Sequence, residues 1–237
     1  MIYPKFTDMK QVVMDDLDLN EETFILPQSF TDYFNEAVAF IEPQIHTLYE
    51  DYFKTVSKID VTQGDDDLNL PSNIYGNKIR KIFWKGDSRE DRYEIKRIRD
   101  LEQTLFVDDN DRYRYDLVNV GVTNDVPLAV KMQIYPAFRE TTTNTPVIIY
   151  YLRSANRYED EDSVCDIPEF SDVIKQYVRY RCRKKEGHPL TEAEKSDLIT
   201  MIQIMVETLK GRVPDENDEL LKDMSFYTDF DPYFLLY

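Results

Sequence analysis

A chain of 237 residues with 42% hydrophobic side chains can bury a core without covalent staples, and its two cysteines, Cys165 and Cys182, are too few for a disulfide framework and lack zinc-site spacing. The 46 acidic against 29 basic residues give a formal net charge of -17, a field that repels phosphate and disfavours a general nucleic-acid binder. No apolar run approaches the roughly 20 residues of a membrane span, and the opening MIYPKFTDMK lacks the charged-then-apolar order of a signal peptide; the expectation is a protein kept in the cytoplasm unless it leaves inside a larger particle.

Residues 1–28 mix apolar and acidic side chains without a sustained period and are expected to form an extended arm. From Ser29 the pattern turns helical. Phe30, Tyr33, Phe34, Ala37, Val38 and Ile41 share a face, and Ser29 with Asp32 reads as an acidic variant of a capping box. Ile45, Leu48, Tyr49, Tyr52, Phe53 and Val56 carry the stripe past Pro43, which predicts one long helix kinked at the proline, or two stacked helices. VTQGDDDLNLPSN (61–73) is a polar breaker. Its aspartates Asp65, Asp66 and Asp67 invite a metal, but neither Ca-loop spacing nor a second acidic motif follows, so a solvated loop is expected.

Strand-like stretches come next: KIRKIFWK (78–85), RYRYDLVNV (112–120) with Tyr113, Tyr115 and Leu117 on one face, LAVKMQI (128–134) with Leu128, Val130, Met132 and Ile134 alternating, and PVIIYYL (146–152). They predict a small, mostly antiparallel sheet. The acidic SANRYEDEDSVCD (154–166) reads as an exposed linker. After Ile167 and Pro168 a helix follows, with Phe170, Val173, Ile174, Tyr177 and Val178 in register, and it ends in RYRCRKKEGHP. Cations there suit the helix dipole better than they suit a phosphate patch, and Gly187 with Pro189 stops the helix. A Thr191–Glu194 capping box opens a second helix through Leu198, Ile202, Met205 and Leu209 to Gly211, giving a helical hairpin over 169–211.

Chemistry is sparse. The six glycines are too scattered for a phosphate-cradling loop, no G-x-S-x-G elbow occurs, and His46 and His188 have no ligand or triad partner at motif spacing. No catalytic, cofactor-binding or metal residue is assigned, and the chain is read as non-enzymatic. Lys78 to Arg99 carries nine basic residues with Trp84 and two further aromatics, a composition suited to a single-stranded nucleic-acid platform. Asp87, Glu90, Asp91 and Glu94 interrupt it, which favours a complement to another copy's acidic surface through Arg80, Lys81, Trp84, Arg89, Arg92 and Arg97. The end of the chain, MSFYTDFDPYFLLY (224–237), holds six aromatics in no single helical or strand period, with Pro232 among them. Phe226, Tyr227, Phe230, Tyr233, Phe234, Leu235 and Tyr237 are expected to be buried by a partner, since aromatics anchor interfaces.

The order of parts, with Leu70–Pro71 leading into a basic-aromatic strand, a Tyr135–Pro136 turn after a strand, and Ile167–Pro168–Glu169 opening a helix with a Tyr- and Arg-rich face, resembles the head-to-tail connector (adaptor) proteins of short-tailed bacteriophages over residues 70–212. The acidity and aromatic content suggest a larger phage of the crAss-like group. The resemblance implies a ring, typically dodecameric, beneath the capsid portal; it would extend the channel through which DNA leaves without binding it tightly, and its C-terminal tail would dock to the portal or a neighbouring ring protein. It places the protein in the virion neck, and in the host cytoplasm during assembly. The expected fold is α+β: a helical bundle of one long N-terminal helix and a C-terminal hairpin, a small antiparallel sheet at about 78–153 inserted within a body at 29–212, an arm at 1–28 and a docking tail at 213–237. The rivals are a monomeric module capturing a host protein through the tail, and a metal-dependent enzyme around Asp65–Asp67.

Overall fold

Residues 3–19, 25–85, 92–98, 112–120, 129–139, 141–188 and 191–212 are described by the computed structural model. Among them lie four α-helices, α1 (Phe6–Asp16), α2 (Pro27–Leu48), α3 (Ser171–Lys185) and α4 (Glu192–Lys210). Eight strands lie among the described residues between α2 and α3: β1 (Lys54–Val61), β2 (Asp67–Asn69), β3 (Ile74–Lys85), β4 (Arg92–Glu94), β5 (Lys96–Arg97), β6 (Arg114–Val120), β7 (Ala129–Tyr135) and β8 (Thr142–Arg153). The chain divides into a helical unit, residues 1–52 with 155–237, and a sheet unit, residues 53–154.

The α+β class holds in a different form from the one expected. Among the described residues there is no long N-terminal helix with a C-terminal hairpin around a small sheet; the N-terminal helix is the short α1, and the β-structure is large, in two sheets. Two local patterns explain the difference. Phe6, Met9 and Val13 bury one face of α1 at i, i+3 and i+7, a short helical period hidden among acidic residues in the supposed arm. At the other end of the expected long helix, α2 runs through Pro43 but stops at Leu48. Tyr52 and Phe53 belong to a 3-10 turn and Val56 to β1, where exposed and more covered residues alternate with period two from Lys54 to Val61.

In the helical unit, α2 turns Phe30, Phe34, Ala37, Val38, Ile41, Ile45 and Leu48 inward. Its start is not the expected capping box: Leu26 is the N-cap, Pro27 takes the first helical position, Ser29 accepts a hydrogen bond from Lys185 Nζ (2.9 Å) and Asp32 one from Gln28 (3.1 Å). Residues 155–167, expected as an exposed linker, instead lie on α2 as a strap with Ala155, Tyr158, Cys165 and Ile167 buried. Asn35 and Glu42, two helical turns apart and so on one face, hold its backbone. Asn35 exchanges hydrogen bonds with Tyr158 N and O (2.8 and 2.9 Å), and Glu42 Oε1 accepts from Ala155 N (2.6 Å). Phe6, Phe34 and Tyr158 form a ring cluster at 5.1–5.6 Å joining α1, α2 and the strap. The strap also caps α1, since Phe6 N and Thr7 N donate to Ser163 O and Glu161 O.

α3 ends at Lys185 and the chain turns off at Gly187, whose φ of +80° suits glycine, with Gly187 N donating to Lys184 O and His188 N to Arg183 O. The capping box of α4 is complete: Thr191 Oγ1 accepts from Glu194 N, and Glu194 accepts from Thr191 N (2.9 Å).

In the sheet unit, one sheet has the order β1-β8-β3-β4, all antiparallel; the other has the order β2-β7-β6-β5, with β5 and β6 parallel. The chain passes from β4 to β5 at Ile95, whose N–H bonds Ile82 O in the first sheet (2.8 Å). Both sheets feed one core. Val61, Ile82, Trp84, Val147, Ile149 and Tyr151 meet Leu68, Tyr115, Met132 and Ile134. Trp84 stacks on Phe138 at 5.6 Å and meets Tyr113 edge-on at 4.8 Å. Two phenols of this core accept backbone hydrogen bonds: Tyr93 Oη accepts from Tyr113 N and Tyr113 Oη from Arg139 N.

Candidate interaction surfaces

Strand alternation sends half of each strand of the first sheet away from the core. In β1 the outward residues are Lys54, Val56, Lys58 and Asp60, and in β3 they include Lys81, Phe83 and Lys85. The pairing register sets them in rows across the sheet: Val56, Tyr150 and Lys81 in one, Lys58, Ile148, Phe83 and Glu94 in the next. The result is an apolar strip along β8, Ile148 and Tyr150, flanked by Val56 and Phe83, with lysines on either side. Val56 is 45% and Tyr150 36% exposed, and the Phe83 and Tyr150 rings meet edge-on at 5.9 Å. Among the described residues no carboxylate lies within ion-pairing distance of Lys58, Lys81 or Lys85.

The outer face of the second sheet is different. Lys131 pairs with Asp67 at 2.5 Å and Arg97 with Asp116 at 3.4 Å, so these four charges are neutralised in place. Around Ile148 and Tyr150 the first sheet presents an open, aromatic and basic face.

The basic end of α3 is not such a face. Arg179 pairs with Asp16, Arg181 with Glu36 (3.0 Å) and lies over the Tyr33 ring (5.4 Å), and Arg183 pairs with Glu194. These cations tie α3 to α1, α2 and α4. The acidic stretch Glu159–Asp162 of the strap is exposed and fixed in a turn, in which Ser163 Oγ accepts from the Glu159 and Asp160 N–H groups and donates to Asp160 Oδ1. Lys5 pairs with Asp162 at its edge (2.9 Å), raising the lysine's pKa and lowering the aspartate's.

Of the subunit-contact residues read from the sequence, Arg80 and Lys81 are exposed on β3, while Arg97 is exposed on β5 in its pair with Asp116. Trp84 points inward and is 4% exposed, because Ile82 and Trp84 alternate with Lys81, Phe83 and Lys85. The β4 backbone at Arg92 pairs with Lys85. Arg89 lies outside the described residues, as do Phe226, Tyr227, Phe230, Tyr233, Phe234, Leu235 and Tyr237. Sequence reading missed Val56, Lys58, Phe83, Ile148 and Tyr150 as one surface. The partial signal lay in the β-branched residues Thr55, Val56, Ile59 and Val61 and in the alternate positions Ile148 and Tyr150 of PVIIYYL.

Of the three aspartates weighed as a metal site, Asp65 Oδ2 accepts from Thr62 N (3.1 Å) and Asp67 holds Lys131, while Asp66 contributes its backbone carbonyl, which accepts from Ile134 N (2.7 Å). No group of three or more His, Cys, Asp or Glu side chains suited to a metal occurs among the described residues. Both thiols are buried, and burial pushes the Cys165 pKa up and that of Cys182 up to about 12, which keeps them as unreactive thiols. No helix among the described residues is long and apolar enough to cross a membrane. No protein-family model matches the chain, and no curated protein matches it.

Proposed function

We propose that this protein is a non-enzymatic structural component of a virion neck, a ring beneath the capsid portal of a short-tailed phage that joins head to tail and extends the channel for genome ejection. One observation carries the reading: the charge is divided between the two units. The sheet unit, residues 53–154, holds 16 basic and 16 acidic residues, and the remainder of the chain holds 13 basic and 30 acidic, so the whole net charge of -17 belongs to the helical unit. A neutral unit with an open lysine face joined to a strongly acidic one gives each copy two complementary and different surfaces. Such a pair favours heterologous, head-to-tail contact between copies, and this contact closes into a ring when the rotation allows. The aromatic C-terminal tail is then a docking element toward a neighbouring subunit of the neck, the portal protein and an adjoining ring protein being the partners of the assembly. An acidic channel wall repels phosphate and lets DNA slide.

Mass photometry and electron microscopy of the purified protein test the proposal. The expected result is a closed ring, about a dozen copies by the family resemblance, whose population falls as salt screens the charges. A monomer alone at high protein concentration, with and without the portal protein, would remove the ring.

A further inference from the structure

We infer that the outer face of the first sheet is the receptor for the C-terminal segment, residues 213–237, of a second copy of this chain. The inference rests on the ring reading only in taking the occupant from another copy. The face has two chemical demands that must be met together: an apolar strip of Val56, Ile148, Tyr150 and Phe83, and beside it Lys58, Lys81 and Lys85 without ion-pair partners among the described residues. An acidic surface alone, such as Glu159–Asp162, would answer the lysines and leave the strip wet. An apolar surface alone would bury uncompensated ammonium groups. Residues 213–237 satisfy both, for they contain seven acidic residues against the single Lys222 and six aromatics, and in TDFDPYF the aspartates Asp229 and Asp231 alternate with rings.

A single-stranded nucleic acid is the other chemistry that lysines among aromatics could serve. It fits this face less well. Glu94 stands in the same row as Lys58, Asp60 follows Lys58 on the outer side of β1, and the Phe83 and Tyr150 rings pack edge-on at 5.9 Å, so they do not form parallel platforms for bases.

The test uses the full chain. Unlabelled protein carrying a photoreactive phenylalanine analogue at Tyr233 is mixed with nitrogen-15-labelled wild type, irradiated, and the cross-linked peptides are identified by mass. The expected cross-links join the probe to labelled β1, β3 or β8 peptides carrying Val56, Phe83 or Tyr150. Their yield should fall at least tenfold when the labelled copy carries Lys58→Glu with Lys81→Glu, and should survive Lys58→Arg with Lys81→Arg. Folding of each variant is read separately from its denaturant midpoint. Cross-links only to unlabelled sheet peptides of the same chain, cross-links to other surfaces, or none at all would overturn the inference. So would cross-links of the sheet probed in reverse to Glu159–Asp162, or binding of a fluorescent oligothymidylate that is lost in the Glu variants while the tail cross-links are absent. Rings seen in the same samples without these cross-links would leave the ring reading standing and this inference overturned; absence of rings bears on the ring reading alone.

Discussion

Glu42 and His46 are the two buried polar side chains among the described residues, one turn apart on α2 with Nε2 of the histidine 3.9 Å from Glu42 Oε1. Glu42 falls inside because it follows Val38 by four residues, on the stripe that the apolar period defines. Its carboxylate accepts from Ala155 N and from Arg157, each at 2.6 Å, and so fixes the start of the strap. Glu42→Ala would leave the Ala155 N–H buried without its acceptor and is expected to cost about 2–3 kcal/mol. Glu42→Gln keeps an oxygen for Ala155 and should cost roughly half as much. Arg157→Ala should cost about 1 kcal/mol, because the arginine side chain is 36% exposed and water can replace it. Urea midpoints of the three variants check the order; a Glu42→Ala protein as stable as wild type would mean that the strap is not held by this carboxylate. The strap's attachment was not legible in the sequence. Polar residues such as Asn35 and Glu42 show their partners only when the chain returns more than 100 residues later.

The elements that could be read in advance are those whose signals are local. α4 begins at its capping box and buries Leu198, Ile202, Met205 and Leu209 as its period requires, while Phe170, Val173, Ile174, Tyr177 and Val178 lie inside at α3. β3 and β8 contain the stretches 78–85 and 146–152, β6 takes up 112–120 from Arg114, and β7 takes up 128–134 from Ala129, Leu128 lying outside the described residues. β1 was hidden because Val56 also continues a helical spacing from α2, and β2 because its one buried residue, Leu68, sits beside three aspartates. That sheet order pairs β1 with β8 is a property of the distant chain, invisible to any window. The α4 capping box gives a prediction at this scale. Hydrogen bonds from the Thr191 backbone and hydroxyl, aided by Arg183, hold the Glu194 pKa below its ordinary value. A carboxylate whose folded pKa is depressed stabilises the fold above its unfolded value of about 4.3 and loses that contribution as pH falls through the folded value. Thr191→Ala should therefore cost about 1 kcal/mol near neutral pH, with the gap to wild type narrowing as the pH is lowered past about 4. Urea midpoints between neutral and acidic pH measure it, and a gap that widens in acid would rule out the capping carboxylate as its source.

Across the whole molecule, the net charge read from composition turns out to have an address. A sequence count of -17 says that the protein repels nucleic acid everywhere, but the sheet unit is neutral and carries the open lysine face, while the helical unit carries the entire excess. Two opposed effects then act on duplex DNA brought near the protein. The lysines of the first sheet offer a few phosphate contacts, each releasing a counterion and weakening steeply with salt. The helical unit's 30 acidic residues against 13 basic oppose approach from beyond contact range, where the field of the whole chain dominates within about 8 Å of screening length at physiological salt. Three or four contacts are too few to overcome that field, since nonspecific binders that neutralise six to ten phosphates reach only about micromolar to 100 micromolar affinity at such salt. Titration of duplex DNA with the full chain near physiological salt is therefore expected to give no saturable complex at micromolar protein, and only slight retention when salt is lowered. A submicromolar affinity with a steep salt slope, lost in Lys58→Glu with Lys81→Glu, would make the sheet face a nucleic-acid site and would remove the argument that the protein forms a non-adhesive wall for passing DNA.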